Sequence, residues 1–189
     1  MDKNFKIGII LILISLFSGK TYAQCYELIW SDEFNYTGFP NSEFWTFEEG
    51  GGGWGNNEIQ YYKAEDADNS WVENGVLTIT AINESFGDRD YTSARLITQE
   101  KFNFIYGKIE ARIKLPYSQG IWPAFWMLGE SFSEVGWPAC GEIDIMEMIG
   151  GENNDNQVHG TAHWDNNGSH ASYRSEERRV GKECIVKCR

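Results

Sequence analysis

The sequence has little positive charge, and this shortage limits what the protein can bind. The chain of 189 residues has 16 Lys and Arg against 28 Asp and Glu. Only seven of the basic residues lie in 25–173, against 24 acidic ones, which gives that stretch a net charge of −17. A surface of this sign repels nucleic acid and anionic membranes. It suits a soluble protein that acts on neutral polymers.

The sequence also lacks a hydrophobic run long enough to cross a bilayer. Its longest mostly apolar run, 7–17, has eleven residues, whereas a spanning helix needs about 20. Two lysines precede the run and small residues follow it, which predicts a signal peptide over 1–23, cleaved before Gln24. We therefore expect a secreted or periplasmic protein. A lipid anchor on Cys25 is disfavoured, because glutamine is a poor residue before a lipidated cysteine.

The tail, residues 174–189, does not resemble the rest of the chain. It holds six of the 16 basic residues and two of the four cysteines. The stretch 174–184 is identified as the in-frame translation of a common short-read sequencing adapter. We expect the natural domain to occupy 24–173 and the tail to be non-native; the alternative is a basic, solvated tail. Without the tail, Cys25 and Cys140 remain, either as a disulfide or as free thiols.

Helical periodicity is missing from the chain after the signal segment. Apolar and charged residues alternate instead, most clearly in 108–115, which is typical of a half-buried strand. Asn74-Gly75 between two β-favouring runs predicts a hairpin turn. A further strand is expected at 29–34. Many short strands separated by Gly, Pro and Asn indicate an all-β sandwich or barrel.

The most informative stretch is 140–150, where three carboxylates lie inside an apolar, β-favouring run bounded by glycines. Such a run predicts a buried strand, where acidic residues are rare unless they have a partner or a function. On a regular strand Glu142 and Asp144 share a face, but Glu147 lies behind them. A β-bulge in the two residues between Asp144 and Glu147 returns Glu147 to the shared face.

With that bulge, the two glutamates stand about four strand steps apart, or roughly 13 Å between Cα atoms. An inward lean of about 4 Å by each side chain leaves roughly 5 Å between the carboxyl groups. Retaining glycosidases hold their two carboxyls about 5–5.5 Å apart, so the strand predicts such an enzyme. Carboxyls this close cannot both ionise freely, and the pKa of the acid is expected to rise. A salt-bridged structural strand and a calcium site are the alternatives.

Several motifs resemble glycoside hydrolase family 16. The run 142–147 resembles its E-x-D-x-x-E signature, in the bulged form of laminarinases and agarases. Other segments resemble the family's motifs in the family's order: 30–34, 55–62, 92–95, 106–112, 120–128 and 159–164. The resemblance covers nearly all of 26–173. It implies a β-jelly-roll sandwich whose concave sheet forms an open substrate cleft.

Residue roles follow from the resemblance by position. It implies that Glu142 is the nucleophile, that Glu147 is the general acid/base and that Asp144 assists the nucleophile. Five residues match positions of the family's cleft that contact sugar: Asn57, Arg95, Trp122, Trp126 and His163. Trp137 is expected to line the cleft from its loop. An ion pair is the alternative for Arg95, and a core position is the alternative for His163 and for the tryptophan pair. No catalytic metal and no required cofactor are expected, although some relatives hold a structural calcium near the position of Glu33.

The implied function is that of a retaining endo-hydrolase acting on a polysaccharide. Segments 55–62 and 120–128 look most like laminarinases, which favours β-1,3-glucan. Mixed-linkage glucan or a marine galactan, transglycosylation, and a non-catalytic glycan-binding jelly roll are the alternatives. We expect a monomer with no nucleic-acid or membrane partner. The family domain normally continues past the strand at 159–164, so this chain is expected to lack C-terminal strands, fold poorly and be inactive as expressed.

Resequencing of the locus is expected to give a different coding sequence after residue 173. The reason is that an adapter-derived tail arises where a reading frame runs off the end of an assembled contig. An intact gene that encodes the same 174–189 would contradict this prediction.

Overall fold

The computed structural model describes residues 26–151, 157–175, 178–179 and 183–188. The expected signal peptide and Cys25, with its possible disulfide, lie outside the described residues. Within them, no helix is both long and apolar enough to span a membrane. The described part of the chain contains one four-residue helix and is otherwise built from strands and turns, so the all-β prediction is confirmed.

The elements follow one another closely along the chain. The strands are β1 (Thr46–Glu48), β2 (Tyr61–Tyr62), β3 (Ser70–Glu73), β4 (Val76–Ile79), β5 (Thr92–Ser93), β6 (Arg95–Ile97), β7 (Ile109–Lys114), β8 (Ala124–Leu128), β9 (Glu142–Glu147), β10 (Gln157–Asp165), β11 (His170–Arg174), β12 (Arg178–Arg179) and β13 (Glu183–Cys188). The helix α1 (Phe132–Val135) lies between β8 and β9.

The largest sheet has the order β11-β10-β9-β8, and β12 also pairs with β10. Its neighbouring strands are antiparallel. The carboxylate strand β9 therefore has a partner on both sides. In the described part of the chain β8 ends this sheet, which suits Pro123 immediately before it, since proline cannot donate to a ladder.

Four two-stranded pairs complete the described fold: β1 with β6, β2 with β5, β3 with β4, and β7 with β13. The predicted turn joins β3 to β4, with φ of 53° at Asn74 and 76° at Gly75, the positive values that a type I′ turn requires. Along β7 partly buried and exposed residues alternate, as predicted. The tail strand β13 pairs with β7 over its whole length; the origin of the tail stays a prediction.

The prediction of a strand at 29–34 is wrong, because no strand forms there. Side-chain hydrogen bonds hold the segment instead. The Asp32 carboxylate accepts from the backbone N–H of Phe34 at 2.9 Å, from the hydroxyl of Tyr36 at 3.1 Å and from Nε1 of Trp45 at 2.9 Å. An aspartate that captures a backbone N–H two residues on favours a turn over a strand.

The core cluster beside the main sheet is small and apolar. Its buried members are Leu115, Met146, Met148 and Val158, and Ile113, Phe125 and Ile145 pack against them. Met146 and Ile145 belong to β9, so the strand that carries the three carboxyls also contributes to the core. Packing of this kind fixes the strand rigidly, which positions the polar side chains on its other face.

Candidate active site

β9 carries a β-bulge at the predicted place. Trp126 on β8 lies opposite Asp144. Its neighbour Phe125 lies opposite Met146 rather than Ile145, so β9 has one extra residue at this point. The register between β9 and β10 shifts at the same place. The prediction of a bulge between Asp144 and Glu147 is confirmed.

The bulge brings all three carboxyls to one face of the sheet. Ile145 and Met146 both pack on the core side, so the alternation is reset after them. Glu142 and Glu147 both lie close enough to Asp144 for their charges to raise its pKa. The two glutamates therefore flank one central carboxyl, which is the arrangement that the spacing predicts.

Asp144 is the buried member of the three, with 4% of its surface exposed. Burial, followed by the charges of Glu147 and Glu142, raises the pKa of Asp144 from 3.8 to about 8. At neutral pH this side chain is therefore protonated. The sequence predicts a raised pKa for the acid; the structure places the raised pKa at the central carboxyl, because that group is the most desolvated.

The tryptophans of 120–128 lie beside the carboxyls on the β8 side. Trp122 Nε1 donates to Glu147 Oε1 at 3.1 Å, and 45% of Trp122 is exposed. Trp126 is the cross-strand neighbour of Asp144, and directly opposite residues share a face. Trp122 is therefore a surface residue of the site and not a core residue, and both rings adjoin the carboxyl cluster.

Arg95 joins the β1–β6 pair to the site. Its guanidinium lies 4.9 Å from the ring centroids of both Trp54 and Trp126, close enough for cation–π attraction. It also forms an ion pair with Glu48, its direct cross-strand partner. The ion pair that was the alternative for Arg95 is therefore present, and it holds the Arg95 guanidinium against the ring of Trp126. Contact of Arg95 with a sugar stays a prediction.

Asn57 lies in the loop before β2, exposed and with φ of 57°, a conformation that asparagine tolerates well. The loop is tied to β2 by Glu58, which accepts hydrogen bonds from Gln60 at 2.7 Å and from the Tyr62 hydroxyl at 2.6 Å. Trp54 of the same loop contacts Arg95. The role of Asn57 as a sugar contact stays a prediction.

His163 lies on the β10 side of the carboxyls, directly opposite Glu142. Its Nε2 is 3.0 Å from Asp144 Oδ2, and its Nδ1 is 2.9 Å from Nε2 of His170. The ring of Trp137 lies 4.7 Å from the His170 ring and 6.2 Å from the His163 ring. The structure therefore places both predicted residues, His163 and Trp137, at the carboxyl cluster, and His163 bonds the central carboxyl itself.

Three side chains of the site are absent from the prediction: Glu48, Trp54 and His170. A signal for His170 exists in the sequence. The Asn167-Gly168 turn makes a two-residue hairpin, which sets Asp165 opposite His170 and so puts His163 and His170 on the same face. Glu48 and Trp54 reach the site through long-range pairing of β1 with β6, for which the local sequence gives no signal.

The distances between side-chain ligand atoms in the carboxyl cluster are short enough to hold a cation. Glu142, Asp144 and His163 offer ligand atoms within 4.8 Å of one another. A cation bound there would displace the proton that burial holds on Asp144. The absence of a catalytic metal stays a prediction. Glu33 is exposed, and a structural calcium near it stays a prediction.

Comparison with known proteins gives concordant matches. A sequence profile described as "Glycosyl hydrolases family 16" matches residues 55–183. The beta-glucanase of Rhodothermus marinus is 49% identical over 143 residues, which cover 75% of this chain and 49% of that protein. The glucan endo-1,3-beta-glucosidase of Cryptopygus antarcticus is 43% identical over 144 residues, which cover 74% of this chain and 51% of that protein. The chain spans about half the length of these relatives.

The X-ray structure of the laminarinase from Rhodothermus marinus has a similar fold, with a TM-score of 0.76 and 42% identity. The match covers 85% of this chain and 66% of that one. The expectation of a jelly-roll sandwich is thereby confirmed. With its bulged E-x-D-x-x-E strand and a profile match over more than half of its residues, the chain belongs to glycosyl hydrolase family 16.

Proposed function

We propose that the protein is a retaining endo-glycoside hydrolase that cleaves β-1,3-glucan by double displacement. The observation that carries the proposal is the bulged strand β9, which brings Glu142, Asp144 and Glu147 together on one face. The names of the two relatives, a beta-glucanase and a glucan endo-1,3-beta-glucosidase, support a β-glucan substrate.

The first displacement uses the two glutamates in different protonation states. Glu147 gives its proton to the glycosidic oxygen as the bond between that oxygen and the anomeric carbon breaks, while Glu142 forms a bond to the same carbon. The N–H of Trp122 holds Glu147 Oε1, which orients the acid and stabilises the carboxylate that proton transfer leaves behind. The product is a glycosyl ester of Glu142.

The second displacement hydrolyses that ester. Glu147, now a carboxylate, takes a proton from a water molecule, and the water oxygen attacks the anomeric carbon. Glu142 leaves as a carboxylate, and two inversions give net retention of configuration. A sugar hydroxyl in place of water makes the same step a transglycosylation.

Asp144 allows the two glutamates to work side by side. Because it is protonated at neutral pH, it adds no negative charge between them. In the proposed reaction the Asp144 proton donates to the Glu142 carboxylate. That hydrogen bond weakens as Glu142 becomes an ester and strengthens again as it leaves, so Asp144 supports the departure step.

Exposed tryptophans supply a surface for the sugar rings. Trp122 and Trp137 are 45% and 47% exposed and stand on opposite sides of the carboxyl strand, next to β8 and β10 respectively. Flat indole faces pack well against the C–H faces of sugars. Trp126, held by Arg95, lies between them in the sheet. These positions favour binding of several consecutive sugar units across the cut bond.

The wider setting is proposed from the sequence. The segment 1–23 supports export, so the polysaccharide is met outside the cytoplasm by a monomer that needs neither nucleic acid nor a membrane. The chemistry uses carboxyl groups alone and requires no cofactor. A calcium ion near Glu33 has a structural role in this proposal and takes no part in the reaction.

A product screen tests the proposed substrate. The protein encoded by the resequenced gene is expected to release reducing ends from laminarin faster than from lichenan or agarose. Proton NMR of the first products should show the β-anomer, as retention requires. Binding to laminarin without any new reducing ends would make the protein a glycan-binding jelly roll, and an initial α-anomer would exclude the retaining mechanism.

Removal of the nucleophile is expected to abolish turnover. Glu142→Gln keeps the shape of the side chain but cannot form the glycosyl ester. In the intact protein encoded by the resequenced gene, activity on laminarin should therefore fall below roughly a thousandth of that without the substitution. Glu134→Gln, at an exposed position of α1, serves as the control and should retain full activity. Substantial turnover by Glu142→Gln would contradict the nucleophile assignment.

The raised pKa of Asp144 predicts how stability depends on pH. Between pH 3.8 and about 8 the folded protein holds a proton on Asp144 that the unfolded chain has lost, so this group makes stability fall as pH rises through that window. Asp144→Asn cannot ionise. Its free energy of unfolding relative to the unmodified protein should therefore increase from about pH 5 to about pH 8.

Urea unfolding curves at several pH values measure this difference. Glu134→Gln changes an exposed carboxylate and is the matched control, for which the difference should stay nearly constant. A constant difference for Asp144→Asn as well would show that Asp144 is ionised in the folded protein at neutral pH.

A further inference from the structure

A pair of stacked histidines extends the carboxyl cluster towards the protein surface. The rings of His163 and His170 lie 5.1 Å apart with 18° between their planes. Nδ1 of His163 and Nε2 of His170 are 2.9 Å apart, and Nε2 of His163 and Oδ2 of Asp144 are 3.0 Å apart. A continuous hydrogen-bond chain thus runs from His170 through His163 to Asp144, the central carboxyl of the cluster.

The hairpin between β10 and β11 fixes the place of His170. The backbone N–H of Asn166 bonds the carbonyl of Ser169 at 2.7 Å, and Asp165 Oδ2 accepts from the N–H of Gly168 at 3.0 Å. His170 is the first residue of β11, immediately after this turn. The ring of Trp137 packs against its imidazole, so the side chain is held both by the turn and by an aromatic neighbour.

The hydrogen-bond chain has one consistent direction at neutral pH. A neutral imidazole has one N–H donor and one acceptor nitrogen. We take Oδ2 of Asp144 as the acceptor of the 3.0 Å bond, so His163 donates from Nε2. Nδ1 of His163 is then an acceptor, and the N–H facing it belongs to Nε2 of His170.

We propose that His170 is a positioning residue of the hydrolytic site: it donates to Nδ1 of His163 and thereby fixes the tautomer that donates to Asp144. The proposal rests on the proposed function for its effect on catalysis, but the tautomer itself is a property of the folded protein. Which nitrogen of a histidine carries the proton is set by the partner of the other nitrogen. In this role His170 contacts neither the substrate nor the reacting atoms.

Two substitutions separate the hydrogen bond from the ring stacking. His170→Phe keeps an aromatic ring between Trp137 and His163 but removes the donor. His170→Gln removes the ring and keeps an N–H donor at a similar reach. Ser172→Ala, two residues further on the same face of β11, is the matched control.

The measurements are long-range 1H–15N correlation spectra of the histidines and steady-state kinetics on laminarin, on the protein encoded by the resequenced gene. The unmodified protein is expected to show His163 protonated at Nε2. His170→Phe should give a mixture of tautomers at His163 and about tenfold lower kcat with little change in KM, as loss of one hydrogen bond implies. His170→Gln should restore both values, and Ser172→Ala should match the unmodified protein.

Three outcomes would overturn the proposal: His163 protonated at Nδ1 in the unmodified protein, a His163 tautomer that His170→Phe leaves unchanged, or a rise in KM alone, which would mark His170 as a sugar contact. Because the spectra require no turnover, they decide the tautomer even if no glycan is cleaved. In that case the proposed function fails while the tautomer assignment is still tested.

Discussion

A single extra residue in β9 is the constraint on which the site depends. With strict alternation Met146 would lie among the carboxyls and Glu147 would lie in the core beside Val158 and Leu115. Burial of an unpaired carboxylate in such surroundings is costly. The bulge at Ile145 and Met146 gives both apolar side chains to the core and returns Glu147 to the polar face, so packing and chemistry are satisfied by the same local distortion.

Burial then determines which carboxyl of the cluster keeps its proton. Of the three neighbouring carboxyls, Asp144 is the most buried, and burial raises its pKa to about 8. Trp122, just before β8, donates to Glu147, and His163 on β10 bonds Asp144. The segments on both sides of β9 thus each supply one polar contact to the carboxyl strand, and burial is the main cause of the raised pKa of Asp144.

Local patterns in the sequence predict most of this arrangement. The spacing of the acidic residues among isoleucines and methionines gives both the strand and the bulge, and Asn74-Gly75 gives its hairpin. The expected strand at 29–34 fails because Asp32 bonds the side chain of Trp45 and its own neighbouring backbone, which no alternation pattern reveals. The Arg95–Glu48 pair beside Trp126 depends on strands about 50 residues apart in sequence, so its position follows from the tertiary fold alone.

The difference between these two groups of residues has a structural cause. The carboxyls, Trp126, His163 and His170 lie on four consecutive antiparallel neighbours, β8 to β11, where each register is set by the strand before it. Trp122 immediately precedes β8, and Trp137 lies in the loop before β9. In such a meander, relative positions follow from turn length and alternation, which is why even the unassigned His170 can be placed from the Asn167-Gly168 turn. Residues that approach from β1, β6 and the loop before β2 obey no such rule. The carboxyl cluster is therefore encoded locally, whereas the outer residues that we propose as glycan contacts depend on the packing of the earlier strands against it.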